Sequence, residues 1–304
     1  MLTLCICTRN RAGLLDGALR TLQQQHPVDQ PASILVVDNG STDSTAEVVS
    51  ANAQGPLPVR YLTEARTGLS HARNRGAAEA ETEYVAFLDD DCEIPEAWLG
   101  HTVRLLQELR PLALGGPCHP LYEEPPPKWY RDVYAAKPLS ECRGWLQEGR
   151  YLFGGNIVFR RAVLIETPFR EDLGMAGKSI AYGEEVDVQR RIDEAHGPRR
   201  RFYDPEMGVR HLTRREKLRL GWLLRSCYAK GRDVYAAAGG GRVGEGRWRL
   251  MADWLRTTTG LVADASIGCL LRPRPRYPRP QNYWYEHTGQ YLKRLGRLSV
   301  QLSR

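Results

Sequence analysis

The sequence predicts an α/β protein with a Rossmann-like, mostly parallel sheet, helices on both faces, and a basic helical region at its C-terminal end. Three observations carry the prediction. Short apolar runs alternate with segments of helical spacing through the first hundred residues, which is the pattern of βαβ units. One of those runs, YVAFL, empties into Asp89-Asp90-Asp91 just before a helix. Charge is also divided along the chain. Residues 199–304 hold 23 Lys and Arg against 8 Asp and Glu, whereas the residues before them hold 20 against 28.

In order, the first strand is Leu2–Cys7, followed by Thr8-Arg9-Asn10-Arg11 and a helical pattern through Leu14, Leu15, Ala18, Leu19 and Leu22 that Pro27 and Pro31 end. The second strand, Ser33–Val37, delivers Asp38-Asn39-Gly40-Ser41. Thr42 or Ser44 can cap the helix through Ala46, Val48 and Val49. A third strand, Val59–Leu62, leads through Thr67-Gly68 to a helix from Ser70 to about Ala80, and Tyr84–Leu88 is the fourth. The crossovers would be right-handed, and in a parallel sheet all these strand ends point one way. Thr8, Arg9, Asp38 and Asp89 to Asp91 would then share one crevice, where open α/β sheets bind ligands.

The segment from about Arg110 to Arg150 is irregular. Pro125–Pro127 exclude helix and central strand, and Trp129, Tyr130, Tyr134 and Trp145 make it either a mobile binding loop or a peripheral packing cluster. Order returns with a strand over Phe153–Phe159, entered through Gly154-Gly155, and a short helix from Arg161. Gly174 and Gly177 mark a loop before a helix from about Glu184 to Ala195. Phe202–Tyr203 is a short strand. An amphipathic helix is expected over His211–Asp233, carrying Leu218, Trp222, Leu223 and Tyr228, broken at Gly239–Gly241. Further helices are expected over Trp248–Leu271 and Tyr283–Leu298, joined by the basic, proline-rich RPRPRYPRPQ. The expected division is 1–115, 116–212 and 213–304.

Composition is that of a globular protein, neither disordered nor collagenous. Seven cysteines without a C-x-x-C spacing do not form a disulfide framework and point to a reducing compartment. The N-terminal apolar run is too short for a secretory signal. No uncharged stretch approaches the ~18 residues of a membrane span. A cytoplasmic location, peripheral at the inner face of the cell membrane, is therefore expected. The basic C-terminal region fits an anionic membrane surface, and no recognised nucleic-acid motif accompanies it.

Two readings compete for the triple aspartate. Three adjacent carboxylates repel unless a cation or basic groups offset them, and Mg²⁺ is held by one or two carboxylates plus substrate phosphates. A solvated acidic turn is the alternative. Aspartate and arginine at neighbouring strand ends favour the first. A further carboxylate stands on the later helix: Glu185 lies three positions before Val188, on the face shared by Ile192 and Ala195. Glu184 falls on a neighbouring face with Asp187 and Arg191, where macrodipole complementation accounts for it.

The motifs CTRNR (Cys7–Arg11), VVDNGSTDST (Val36–Thr45), GLSHARNRGAAEA (Gly68–Ala80), FLDDDCEIPEAWL (Phe87–Leu99), GGNIVFRR (Gly154–Arg161) and YGEEVDVQRRI (Tyr182–Ile192) together resemble the family 2 glycosyltransferases, in the same order, over roughly residues 1–235. The resemblance implies a GT-A fold: a nucleotide-sugar-binding α/β half and an acceptor-binding half. It implies inverting transfer of a sugar from a UDP-, GDP- or dTDP-linked donor to a hydroxyl of a carbohydrate or lipid-linked acceptor. Asp89 and Asp91 match the D-x-D pair, with Asp91 on Mg²⁺ or Mn²⁺, Asp89 near the ribose or metal and Asp90 between them on the donor side. Thr8, Arg9, Asp38 and Arg73 match positions that hold base, ribose and diphosphate, as do Gly155 and Asn156 on the donor side. His211 matches a position that contributes to the metal or diphosphate. The family often has Glu-Asp where this chain has Glu184-Glu185, so the general base falls on Glu185, one methylene longer.

A nucleotidyltransferase would need a Gly-rich loop after the first strand, where Cys7–Leu14 offers only Gly13. A non-catalytic nucleotide-sugar-binding subunit would not need both the aspartates and Glu185.

Overall fold

The computed structural model describes residues 1–175, 180–237 and 246–303. Two compact units emerge: Met1–Leu121, Ala135–Gly177 and Glu184–Leu212 in the first, and Tyr122–Tyr134, Lys178–Gly183 and Thr213–Arg304 in the second.

The first unit begins with β1 (Leu2–Thr8), α1 (Ala12–Gln23), β2 (Ala32–Asp38), α2 (Thr45–Ala51), β3 (Val59–Thr63), α3 (Leu69–Glu79) and β4 (Tyr84–Leu88). Apolar spacing explains the helices. α1 buries Leu15, Ala18, Leu19 and Leu22 against the sheet, each leucine contributing about 1.5–3 kcal/mol of transfer free energy. β1, β2 and β4 are buried along nearly their whole length, as expected of parallel strands covered on both faces. The chain continues through β5 (Cys92–Glu93), α4 (Trp98–Leu109), β6 (Ala113–Gly115), β7 (Cys118–Tyr122), β8 (Gly144–Trp145), β9 (Asn156–Arg160), α5 (Arg161–Glu166), α6 (Glu184–His196), β10 (Arg201–Tyr203) and β11 (Val209–Thr213).

The large sheet has the order β3-β2-β1-β4-β9-β6-β10-β8. β1, β2, β3 and β4 are mutually parallel, with Thr8 opposite Asp38 and Asp38 opposite Thr63. β9 is inserted antiparallel between β4 and β6 and sets Asn156 opposite Leu88. A small sheet of order β5-β11-β7 pairs His211 with Cys92.

Some expectations need correction. The strand expected over Phe153–Phe159 starts only at Asn156, because residues 153–155 turn beside the aspartates. His211 does not open a helix. It lies in β11, held there by backbone pairing to β5, and the helix starts only at Leu220 after a 3-10 turn over Arg215–Leu218. The break expected at Gly239–Gly241 lies outside the described residues.

The second unit contains α7 (Leu220–Ala237), α8 (Arg247–Ala263), α9 (Pro280–Tyr283) and α10 (Gly289–Leu302). The helix expected to Leu271 loosens into a π turn over Asp264–Gly268. Glycine lets α7 and α10 approach closely: a Cβ on Gly231 would meet the Lys293 carbonyl, and one on Gly296 the Tyr228 carbonyl. Of the two readings of the aromatic segment, packing is realised within this unit. Tyr134 stacks edge-on with Tyr130 and Tyr285 and donates to Glu286 at 2.5 Å, which Arg131 also reaches at 2.8 Å.

Candidate active site

The parallel register brings the ends of β1, β2 and β4 together, and side chains knit them. Asp90 is buried and accepts from the Thr8 hydroxyl and from Nη1 of Arg11, each at 2.7 Å. Burial pushes the Asp90 carboxyl upward, against the pull of Arg11. Arg11 also reaches Asp91 at 3.6 Å. Asp38 accepts from the Ser41 N–H at 2.8 Å and the Tyr61 hydroxyl at 2.5 Å. Burial, then that bond, pushes the Tyr61 phenol up to about 12. Arg9 is exposed at the rim.

Asp89 and Asp91 flank His211. Its Nε2 is 3.4 Å from Oδ2 of Asp89 and 3.2 Å from Oδ1 of Asp91. One ligand atom from each of the three residues lies within 4.8 Å of the others. Strand pairing to β5 and a bond from the Leu212 N–H to the Asp91 carbonyl, 2.8 Å, carry His211 there. Gly155 makes the approach feasible, since a Cβ at that position would stand 2.3 Å from Oδ2 of Asp89. Two carboxylates and an imidazole converge, Asp91 buried and Asp89 and His211 partly exposed, and fit a divalent cation of the Mg²⁺ or Mn²⁺ class.

The other half of the site is the first turn of α6. Arg73 of α3 is buried between the rings of Phe87 and Phe169. It donates to Oε1 of Glu184 at 2.8 Å and to the Gly154 carbonyl at 3.1 Å, and lies 3.9 Å from Asp89. Burial works against its charge, but Glu184 and Asp89 outweigh it and its pKa is raised. Glu184 is thus a buried ion-pair partner and not only a macrodipole carboxylate. α6 buries two adjacent faces, Glu184 and Asp187 as well as Val188 and Ile192. Glu185 projects from the same turn, its Cβ packed toward Gly154. Burial first, and the Glu184 carboxylate second, push its carboxyl up to about 8, with Arg73 opposing.

The structure therefore brings Asp89, Asp91, His211, Arg73, Gly155, Glu184 and Glu185 together in one unit. It places three donor-side expectations differently. Asn156 is 0% exposed, and its amide donates to the carbonyls of Met207 (2.6 Å) and Pro117 (3.3 Å), because β9 runs inside the sheet. The Thr8 hydroxyl is turned to Asp90, which also holds Arg11. Sequence reasoning missed Arg11 and Asn39. Asn39 accepts from the Gly68 N–H at 2.7 Å and donates to the carbonyls of Glu64 and Arg66, fixing the start of α3. Both stand inside quoted motifs, CTRNR and VVDNGSTDST, whose spacing was the available signal.

The chain matches the profile of Glycosyl transferase family 2 over residues 3–167. It is a member of that family. The transferase is 25% identical over 232 residues to the succinoglycan biosynthesis protein ExoM of Rhizobium meliloti, covering 74% of this chain and 71% of that protein. A shorter stretch of 91 residues is 38% identical to the validoxylamine A glucosyltransferase of Streptomyces hygroscopicus, covering 29% of this chain and 21% of that enzyme. Among solved structures, the mannosyltransferase PcManGT of Pyrobaculum calidifontis, in complex with GDP-Man and Mn²⁺, superposes with a TM-score of 0.65 at 19% identity, covering 99% of this chain and 86% of that one. Residues 1–349 of S. aureus TarS, in complex with UDP-GlcNAc, give 0.58 at 19% identity, covering 78% and 64%. At such identities these likenesses establish the GT-A fold. Family membership makes the chain an enzyme that transfers a glycosyl group from a nucleotide sugar.

Proposed function

We infer that this transferase works by inverting single displacement, with a divalent cation at Asp89, Asp91 and His211 and with Glu185 as general base. The observation that carries the reading is Arg73, which spans the two halves of the chemistry, 2.8 Å from Glu184 and 3.9 Å from Asp89. A base-bearing turn and a cation-holding cluster that close together suit a reaction at one carbon.

In that reaction the acceptor oxygen forms a bond to the anomeric carbon as the bond from that carbon to the diphosphate oxygen breaks. The acceptor proton passes to the Glu185 carboxylate, and the nucleoside diphosphate leaves with the electron pair. A carboxylate whose pKa is raised toward neutrality suits proton abstraction. A cation held by Asp89, Asp91 and His211 would supply charge neutralisation for the departing diphosphate. Arg73 acts through Glu184 and Asp89 as a positioning residue, and Arg9 and Asp38 line the donor side. The donor is a UDP-, GDP- or dTDP-linked sugar; PcManGT with GDP-Man and TarS with UDP-GlcNAc support the first two. The acceptor is a carbohydrate or a lipid-linked glycan; one relative, from Campylobacter jejuni, is named for an undecaprenol-linked acceptor. Peripheral contact with an anionic membrane belongs to the same reading.

The test is product stereochemistry. A panel of nucleotide sugars with Mn²⁺ identifies the donor, and NMR of the anomeric proton then reads the outcome. Retention of configuration would sink the single displacement.

A further inference from the structure

Exposed large apolar side chains are concentrated in one stretch. Of fourteen among the described residues, eight lie between Trp248 and Leu271. On α8, Trp248, Met251, Leu255 and Val262 are 82%, 47%, 60% and 65% exposed. Their spacing of i, i+3, i+7 and i+14 puts them on one helical face. That face is not the one by which α8 packs in its unit. Leu250 and Thr257 are buried on the other side, where Asp253 pairs with Arg294 of α10 and Gly260 lies against the ring of Tyr291. A surface helix needs one buried stripe, and a second, contiguous and uncovered, marks an interaction surface.

Charge identifies the partner. Arg247, Arg249 and Arg256 are all exposed; at 3.6 residues per turn Arg247 flanks the ridge at roughly 70° on one side, and Arg256 and Arg249 lie roughly 110–130° round on the other. The single carboxylate within α8, Asp253, is turned to Arg294. Beyond the helix, Ile267, Leu270 and Leu271 are exposed, and Arg272, Arg274, Arg276 and Arg279 follow. A cavity of about 370 Å³ beside Leu271 is lined by Arg272, Arg276, Tyr277 and His287. A second copy docked ridge to ridge would set arginine against arginine. An anionic bilayer takes both features, accepting apolar side chains at the acyl boundary while the guanidinium groups stay with the phosphates.

We propose that α8 and the turn after it are an in-plane membrane element, whose Trp248–Met251–Leu255–Val262 ridge enters the interface of an anionic bilayer. No described helix is long and apolar enough to cross a membrane, so the element lies in the surface. The proposal deepens the membrane part of the reading above, and it does not depend on the chemistry assigned to Glu185.

The test is co-sedimentation of the full chain with vesicles of phosphatidylcholine containing one third phosphatidylglycerol, against phosphatidylcholine alone. The mixed vesicles should bind the protein. Leu255→Asp and Val262→Asp should each weaken binding at least about tenfold, the value of losing one buried aliphatic side chain. Replacing Arg247, Arg249 and Arg256 together with Gln should weaken the preference for the anionic lipid. Brominated acyl chains should quench a fluorescence component that Trp248→Phe removes. Absence of binding to the anionic vesicles at low salt overturns the proposal, as does binding indifferent to the ridge variants. A dimer that Leu255→Asp dissociates, without vesicle binding, assigns the face to a second copy and overturns it equally. Donor hydrolysis by the same proteins reports the catalytic reading separately. Wild-type rates in the ridge variants show that their fold survives, and an inactive wild-type protein that still binds vesicles counts against the catalytic reading alone.

Discussion

Arg73 donates to Glu184 across 111 residues of chain at 2.8 Å, both groups buried. This pair fastens the start of α6 to α3, and with it the position of Glu185. Breaking a buried pair leaves one charge uncompensated, at a cost of about 3–5 kcal/mol. Arg73→Ala should therefore lower unfolding free energy by about that amount in urea titration. Adding Glu184→Gln to Arg73→Ala should recover part of the loss. Strict additivity of the two would mean that the pair is not coupled.

Glu185→Gln should reduce kcat/KM by about 10²–10⁴-fold, the usual contribution of a positioned base. Donor affinity, read by calorimetry with Mn²⁺ present, should be unchanged. Normal turnover would remove Glu185 from the mechanism.

The raised pKa of Glu185 fixes the sign of two pH effects. A base works ionised, so kcat/KM should fall as pH drops through the Glu185 pKa, about 8. Glu184→Gln removes a neighbouring negative charge and should move that acid limb to lower pH. Stability runs the other way. The Glu185 carboxyl is favoured neutral in the folded state, so its contribution is full below the ordinary value of 4.5 and is lost as pH rises toward about 8. Without metal, the melting temperature of Glu185→Gln should overtake that of wild type over this window. Parallel melting curves across pH would contradict the shift.

Removal of divalent cations by chelation should abolish transfer, and Mn²⁺ should restore it. His211→Ala and Asp91→Ala should each weaken the cation-dependent part of donor binding, on the order of 10–100-fold, as expected of lost ligand-shell groups. Identical titrations with and without Mn²⁺ in the wild-type protein would argue against a cation at this cluster.

Gly155→Ala separates geometry from charge. Its Cβ would stand 2.3 Å from Asp89 and 2.8 Å from the Phe153 ring, so Asp89 must move although no charge is altered. Cation-dependent donor affinity should drop as it does in Asp89→Ala. Wild-type affinity in Gly155→Ala would show that Asp89 is not held to this position by the tight approach.

What the sequence by itself determined is local and periodic. Alternation of apolar runs with helical spacing sufficed for β1 to β4 and their helices, because each element buries its own stripe. Parallel pairing then fixed that Thr8, Asp38 and Asp89 to Asp91 meet at one edge. The family resemblance was enough for Asp91, His211 and Glu185 to be named as candidate site residues. Only the tertiary structure decided what each side chain spends itself on. Asp90 accepts from Thr8, 82 residues away, and from Arg11, pairings that no local pattern encodes. Asn156 is enclosed because β9 enters the sheet antiparallel, a topology that apolar spacing does not specify. His211 reads as the start of a helix until backbone pairing with β5 makes it a strand residue. Glu184 lies one residue from the proposed base, and its role as the anchor of Arg73 depends on a partner that chain folding alone brings within 2.8 Å. The reason is the same in each case. Periodicity reports which face of an element is buried, whereas hydrogen bonds and ion pairs report what lies opposite it.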